Sequence, residues 1–163
     1  MSIIKASPSD LVEVLYLLKV SIQEMNCNNG FHWNLQNCLV QNDIENNLVF
    51  LYKQNALCIG MITLSTEDPL EYKSVKWMAN SPKPLVAHRL IVHPYWKNRD
   101  VAKELLAFAE QHAQEYSFTS VRSDVFSDDR EVVTLYHQLN YLHTGEFILL
   151  YQKTPYYCFE KIL

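Results

Sequence analysis

The segment from His88 to Leu106, HRLIVHPYWKNRDVAKELL, joins an apolar run to a charged loop and a second apolar pattern. We predict a buried strand over 85–92, a proline-containing loop over 93–100 and an amphipathic helix over 101–116. The first-turn N–H groups of a helix have no acceptor inside the helix, and the helix dipole adds positive potential there. The segment therefore predicts an anion site of the kind that holds phosphate groups, although its loop contains no glycine.

Two residues of the predicted strand carry side chains that could serve a reaction. His88 has an intrinsic pKa that suits proton transfer near neutral pH, so it is a candidate general base. A buried histidine with a purely structural role is the alternative. Arg89 is a candidate for binding a substrate carboxylate, or for pairing with an acid inside the fold.

The long connection before this strand, residues 66–84, is the second place where we expect function. Connections of this length are uncommon inside compact domains and often carry a site. Its candidate substrate contacts are Glu71 and Trp77, to which we add Trp33 from an asparagine-rich segment near the N-terminus. Solvated carboxylates and rings that cover the core are the alternatives for these side chains.

The composition predicts one globular domain over residues 1–163. The hydrophobic fraction of 48% and charged fraction of 20% are those of a folded chain. A net charge of −4 disfavours nucleic acid as a partner, and no apolar run approaches the roughly 20 residues that span a bilayer. Because the cysteines are scattered and no histidine shows ligand spacing, we expect reduced thiols, no metal site and a cytoplasmic location.

The hydrophobic pattern predicts the order β-α-α-β-β-β-α-β-α-β, with room for one further strand. Residues 26–34 are predicted to be a loop, and Gln54-Asn55 a tight hairpin turn. The predicted strands cover 2–6, 48–53, 56–65, 85–92, 119–126, 141–153 and 157–161. The first predicted helix follows a capping box formed by Ser7 and Asp10, the second covers 35–44, the third begins at Val101 and the fourth follows the cap at 127–129.

The segment after the central strand resembles the cofactor motif of the GNAT superfamily of N-acetyltransferases. In that motif a strand, a V-x-P turn and a short loop lead to a helix with two leucines, and here the letters are VHPYWKNRDVA at 92–102, then leucines at 105 and 106. Lys97 replaces glutamine or arginine, and Asp100 replaces a glycine. Because aspartate tolerates positive φ better than most residues, we expect the backbone path to be kept. The Asp100 carboxylate repels a phosphate, so we expect cofactor binding to be weakened, not abolished.

A second block strengthens the resemblance. The family has an asparagine or similar residue, a small apolar residue, Leu-Tyr and a closing Gly-Phe or Gly-Tyr. The corresponding residues here are Asp129, Val132, Leu135-Tyr136 and Asn140-Tyr141. Asn140 thus stands in place of a further glycine.

The resemblance implies an α/β fold with a mixed, mostly antiparallel, twisted sheet of six or seven strands and about four helices. It implies direct transfer of an acetyl group from acetyl-CoA to a primary amine of a small molecule or peptide. Tyr136 would then protonate the leaving thiolate, although a core tyrosine is the alternative. The cofactor-binding residues implied are Ile91, Val92, Lys97, Asn98, Arg99, Asp100, Val101, Ala102 and Asp129.

Two other functions stay open from the sequence. A non-catalytic member of the fold could act as a binding or regulatory module, which the missing loop glycine favours. A hydroxyl acceptor in place of an amine is the other. We expect no nucleic-acid or membrane partner, and either a monomer or a homodimer.

Overall fold

The computed structural model describes residues 2–29, 37–78, 83–97, 99–150 and 152–163. Within them the chain forms a seven-stranded mixed sheet flanked by four α-helices, which confirms the predicted fold class. The strands are β1 (Ser2–Lys5), β2 (Val49–Gln54), β3 (Leu57–Ser65), β4 (Pro84–Val92), β5 (Ser120–Phe126), β6 (Leu142–Phe147) and β7 (Tyr156–Ile162). The helices are α1 (Leu11–Asn29), α2 (Asn37–Glu45), α3 (Val101–Glu115) and α4 (Arg130–Gln138).

The strand order is β1-β2-β3-β4-β5-β7-β6, so β4 is the central strand, as its apolar faces predicted. The β4–β5 pair is parallel, whereas the β1–β2, β2–β3, β5–β7 and β6–β7 pairs are antiparallel. The predicted strand over 141–153 was too long, because β6 ends at Phe147. The hairpin turn between β2 and β3 lies one residue later than predicted, since Asn55 and Ala56 both have positive φ.

The chain divides into two compact units. The first comprises Met1–Leu64 and Arg89–Phe108, and the second comprises Ser65–His88 and Ala109–Leu163. β4 and α3 each contribute residues to both.

In the first unit, a 3₁₀ turn over Pro8–Asp10 leads into α1 and begins at the capping box that the sequence predicted. The Ser7 N–H donates to the Asp10 carboxylate at 2.8 Å, and Lys53 Nζ lies 2.7 Å from the same carboxylate. α1 then continues to Asn29, so the loop predicted from residue 26 begins too early. Asparagine costs a helix less than about 0.7 kcal/mol per residue, which an established helix can absorb.

In the second unit, a buried charge network holds the connection that precedes β4. Glu160 of β7 is fully buried and accepts from Arg122 Nε at 3.0 Å and from the Met78 N–H at 2.7 Å. Arg122 Nη1 also donates to Asp68 at 2.9 Å. Since an unpaired charge this deep would cost several kcal/mol, the network fixes both ends of residues 68–78 against β5 and β7.

The contact of β3 with α3 depends on Gly60. A Cβ at this position would lie 2.9 Å from Val101 Cγ1 and 3.2 Å from the Ile91 carbonyl oxygen. The absence of a side chain therefore lets the first turn of α3 approach the sheet closely.

We predict that Gly60→Ala lowers the free energy of unfolding by about 1–3 kcal/mol, because the added methyl group overpacks this contact. Urea unfolding measures the change. In Gly60→Ala/Val101→Ala the clashing methyl is gone, so the double variant should lose less stability than the sum of the two single variants. Wild-type stability in Gly60→Ala would show that α3 can move away without cost.

Candidate active site

In the first unit, backbone and side-chain hydrogen bonds fix the exit of β4. Ser21 Oγ donates to the Val92 carbonyl at 3.3 Å, and the His93 N–H donates to the Ile59 carbonyl at 2.9 Å. A 3₁₀ turn over Pro94–Trp96 comes next. The direction in which the chain leaves the strand is therefore defined before the loop begins.

Asp100 has the left-handed backbone conformation that the sequence led us to expect, with φ of 57°. Its carbonyl accepts the Glu104 N–H at 2.8 Å, which is the first helical bond of α3, and its side chain is exposed. Val101 and Leu105 are buried behind it and Ala102 is half-buried, whereas Asn98 lies outside the described residues. An aspartate thus adopts the backbone path that a glycine would favour.

The charges around this loop are partly compensated. Lys97 Nζ lies 2.6 Å from the Glu24 carboxylate, and the Arg99 guanidinium lies 4.9 Å from the centre of the Trp96 ring. In the first turn of α3, Glu104 accepts a hydrogen bond from Tyr52, which raises the pKa of that phenol to about 12. Of the two loop cations, Lys97 already has an anionic partner.

In the second unit, the pairing of β4 with β5 is short. Its register covers only Pro84↔Ser120, Leu85↔Val121 and Val86↔Arg122, although both strands are described along their whole length. Residues 87 and 88 of β4 do not pair with β5. On its other side, β5 continues to pair with β7 as far as Phe126. Ser123 and Asp124 therefore follow directly on the end of the parallel ladder.

Tyr136 of α4 is buried, at 1% exposure, and its hydroxyl lies 2.7 Å from Ser123 Oγ. Its ring stacks on Phe159 at 5.1 Å and meets Tyr141 edge-on at 5.0 Å. Burial raises the pKa of Tyr136, and the hydrogen bond from Ser123 opposes that shift. The phenol therefore stays protonated at neutral pH, with a second hydroxyl placed to stabilise its oxygen.

His88 is largely buried near the end of the pairing. Burial lowers its pKa to about 4, so the imidazole is neutral at neutral pH. Among the described residues its Nε2 has no hydrogen-bond partner. This nitrogen is buried, and the lowered pKa makes the neutral imidazole a weaker base than an ordinary histidine.

The other predicted site residues lie in different surroundings. Glu71 is exposed in a 3₁₀ turn, and the half-buried Trp77 donates from Nε1 to the Tyr72 carbonyl at 3.1 Å. Arg89 has φ of 51° and pairs with Asp43 of α2, while Asp129 caps α4. Trp33 lies outside the described residues.

Two polar residues of the second unit, Ser123 and Asp124, were not predicted from the sequence. Asp124 accepts a hydrogen bond from the buried Tyr72 hydroxyl at 2.6 Å, and Ser123 contacts Tyr136. The available signal was the run of polar residues in β5, SVRSDVF, which places a serine or a charge on both faces of an interior strand. Such polar side chains need partners when they are buried.

Two further observations concern metal binding and membrane spanning. In the described part of the chain, no three His, Cys, Asp or Glu side chains are grouped so that they could hold a metal ion. Among the same residues, no helix is long and apolar enough to cross a membrane.

Solved structures of acetyltransferases share this fold. A GNAT-family acetyltransferase from Streptococcus agalactiae superposes with a TM-score of 0.81 at 15% identity, covering 99% of this chain and 95% of that one. The ribosomal-protein-alanine N-acetyltransferase from Brucella melitensis gives 0.75 at 15% identity over 100% of both chains. For yncA from Salmonella typhimurium, solved with its cofactor acetyl-CoA, the TM-score is 0.73 at 12% identity, covering 99% of this chain and 93% of that one.

At the level of sequence, none of the curated proteins matches this chain significantly. A family model described as the acetyltransferase (GNAT) family matches residues 19–141, which include the β4–α3 segment and Tyr136. The chain therefore belongs to the GNAT acetyltransferase family.

Proposed function

We propose that this protein transfers an acetyl group from acetyl-CoA to a primary amine of a small molecule or peptide. Family membership and the fold support acyl transfer in general. The family model spans residues of both compact units, and we propose that they serve as a single catalytic domain.

The observation that carries this proposal is the backbone at Asp100. A loop without glycine supports a phosphate cradle only if some other residue adopts positive φ, and Asp100 does so at 57°. Because the first helical bond begins at its carbonyl, the N–H groups of residues 101–103 have no acceptor inside α3. These N–H groups are the proposed donors to the phosphates of acetyl-CoA, with Arg99 as the nearby cation.

The Asp100 carboxylate opposes this binding by a limited amount. Two like charges 4 Å apart repel by about 1 kcal/mol in water and by about 4 kcal/mol at an effective dielectric near 20. Because the side chain is exposed, the smaller value applies. Residues 91, 92 and 129 remain proposed cofactor contacts.

Acetyl-CoA would supply the activated acetyl group and a thiolate leaving group. The residues of this chain then have two tasks, since one N–C bond forms and one C–S bond breaks. His88 Nε2 takes a proton from the acceptor ammonium, and the Tyr136 hydroxyl gives its proton to the sulfur. Ser123 can donate to the Tyr136 oxygen as that proton leaves.

A non-catalytic module is the second candidate. The Glu24 carboxylate beside Lys97 favours it, because this pair removes one loop cation from the phosphates. A measurement of acetyl-CoA binding decides between the transferase and the non-catalytic module.

We expect isothermal titration calorimetry to detect acetyl-CoA binding, and Asp100→Gly to tighten it about 3- to 10-fold, as removal of about 1 kcal/mol of repulsion requires. Asp100→Asn is the matched control, because it removes the charge and keeps a residue that tolerates positive φ. The gain should shrink at high salt. If neither the wild type nor either variant binds acetyl-CoA, the protein is a module and not an acetyltransferase.

Tyr136→Phe should lower kcat by about 100-fold and change the affinity for acetyl-CoA less than 3-fold, because a proton donor acts only as the thiolate forms. Steady-state kinetics and calorimetry measure the two quantities. Tyr141→Phe is a control at a neighbouring buried tyrosine and should keep kcat within about 3-fold. Equal kcat in Tyr136→Phe and the wild type would remove this phenol from the mechanism.

His88→Gln should lower kcat by at least about 100-fold, since it removes the proton acceptor. A base acts above its own pKa, so a pKa of about 4 predicts no loss of wild-type rate through His88 between pH 8 and 5. NMR titration of the imidazole protons reports the ionisation of His88. The control is His143→Gln, which replaces an exposed histidine. Titration of His88 near pH 6.5 would contradict the effect assigned to burial, and an unchanged kcat would exclude it as the base.

A further inference from the structure

In the first unit, the carboxylate of Glu24 on α1 reaches the loop that leads from β4 to α3. Its Oε2 lies 2.6 Å from Lys97 Nζ, and the side chains of Glu24 and Lys97 are 32% and 34% exposed. Oε2 itself is shielded from solvent and accepts no hydrogen bond from the described residues. The ion pair with Lys97 therefore compensates the charge on this oxygen.

α1 is fixed one turn before Glu24. The fully buried Ser21 donates from Oγ to the Val92 carbonyl at 3.3 Å. Residues 21 and 24 are three apart and so lie on the same face of α1, which meets both the end of β4 and the loop. Because the helix is held there and a lysine side chain has a flexible four-carbon stem, Lys97 can change its partner without a shift of α1.

Lys97 also lies at the entrance to the proposed phosphate site. It ends the 3₁₀ turn over Pro94–Trp96, three residues before Asp100 and the first turn of α3. A carboxylate and a phosphate offer the same kind of partner to an ammonium ion, namely an anionic oxygen. Since partly exposed ion pairs contribute little free energy, an incoming phosphate can replace Glu24 reversibly.

We propose that Glu24 is an internal competitor of the cofactor. In the free protein its carboxylate binds the Lys97 ammonium, and the phosphates of CoA displace it. This inference rests on the proposed function. The affinity for CoA is then set by the difference between the Lys97–phosphate and Lys97–Glu24 interactions, so the ion pair keeps cofactor binding weaker than the loop alone would allow.

Calorimetry with free CoA tests the competition. Glu24→Gln should bind CoA about 3- to 10-fold more tightly than the wild type, because Lys97 no longer has to leave a carboxylate. In the Lys97→Met background the same substitution should change the affinity by less than about 2-fold, because no ammonium is left to be released.

Glu13→Gln is the matched control. Glu13 lies on the same helix, roughly 16 Å away along its axis, and its carboxylate is paired with a lysine. Its distance from Lys53 Nζ is 2.7 Å, and its side chain is 38% exposed. Glu13→Gln should leave the affinity for CoA within about 2-fold of the wild type.

Three results would overturn the inference. Equal or weaker CoA binding by Glu24→Gln would mean that Glu24 does not compete, or that it holds Lys97 ready for the phosphates. A gain that persists in the Lys97→Met background would mean that Glu24 acts through its own charge. An equal gain in Glu13→Gln would mean that any carboxylate of α1 has the same effect.

An assay of amine acetylation separates this inference from the proposed function. Tighter CoA binding by Glu24→Gln that depends on Lys97, without turnover of any amine, supports the competition and contradicts the transferase. Turnover of an amine together with unchanged CoA affinity in Glu24→Gln does the reverse. Absence of CoA binding in both the wild type and Glu24→Gln contradicts both.

Discussion

The parallel pairing of β4 with β5 ends after three residue pairs, at Val86 and Arg122. Buried strands normally keep their backbone groups paired, so when a ladder ends early in the interior of a sheet, the residues beyond that end need other partners. The polar side chains His88, Ser123 and Asp124 come directly after this point. Three polar side chains that could take part in a reaction therefore lie close to the end of this one ladder.

β5 can serve two purposes there because its side chains alternate between the faces of the sheet. Ser123 meets the Tyr136 hydroxyl on one face, and Asp124 meets the Tyr72 hydroxyl on the other. Each contact satisfies a polar group whose burial would otherwise cost about 1–3 kcal/mol. A short strand therefore contacts the Tyr136 hydroxyl, the proposed proton donor, on one side and presents the Asp124 carboxylate on the other.

The sequence was sufficient for the features that local chemistry determines. The element order and the capping box at Ser7 follow from periodicity and from conformational preference. The left-handed backbone at Asp100 was expected from the resemblance to the family motif, which has glycine at that position. The pairs that define the site do not, because Asp124 meets a tyrosine 52 residues away and Arg89 meets an acid 46 residues away. Many acids and tyrosines were available as partners, and only the packed sheet selects among them.

Residues other than glycine adopt positive φ at several turns of this glycine-poor chain. Besides Asp100, Asn140 has φ of 62° at the end of α4, again where the family has glycine. Asparagine changes only the local conformational energy, whereas aspartate also brings a charge to a helix N-terminus that the fold offers to anions. Asn140 and Asp100 thus give the backbone the same left-handed conformation, but only Asp100 adds a charge. In the proposed phosphate site, the exposure of Asp100 limits this repulsion, because solvent screens its carboxylate.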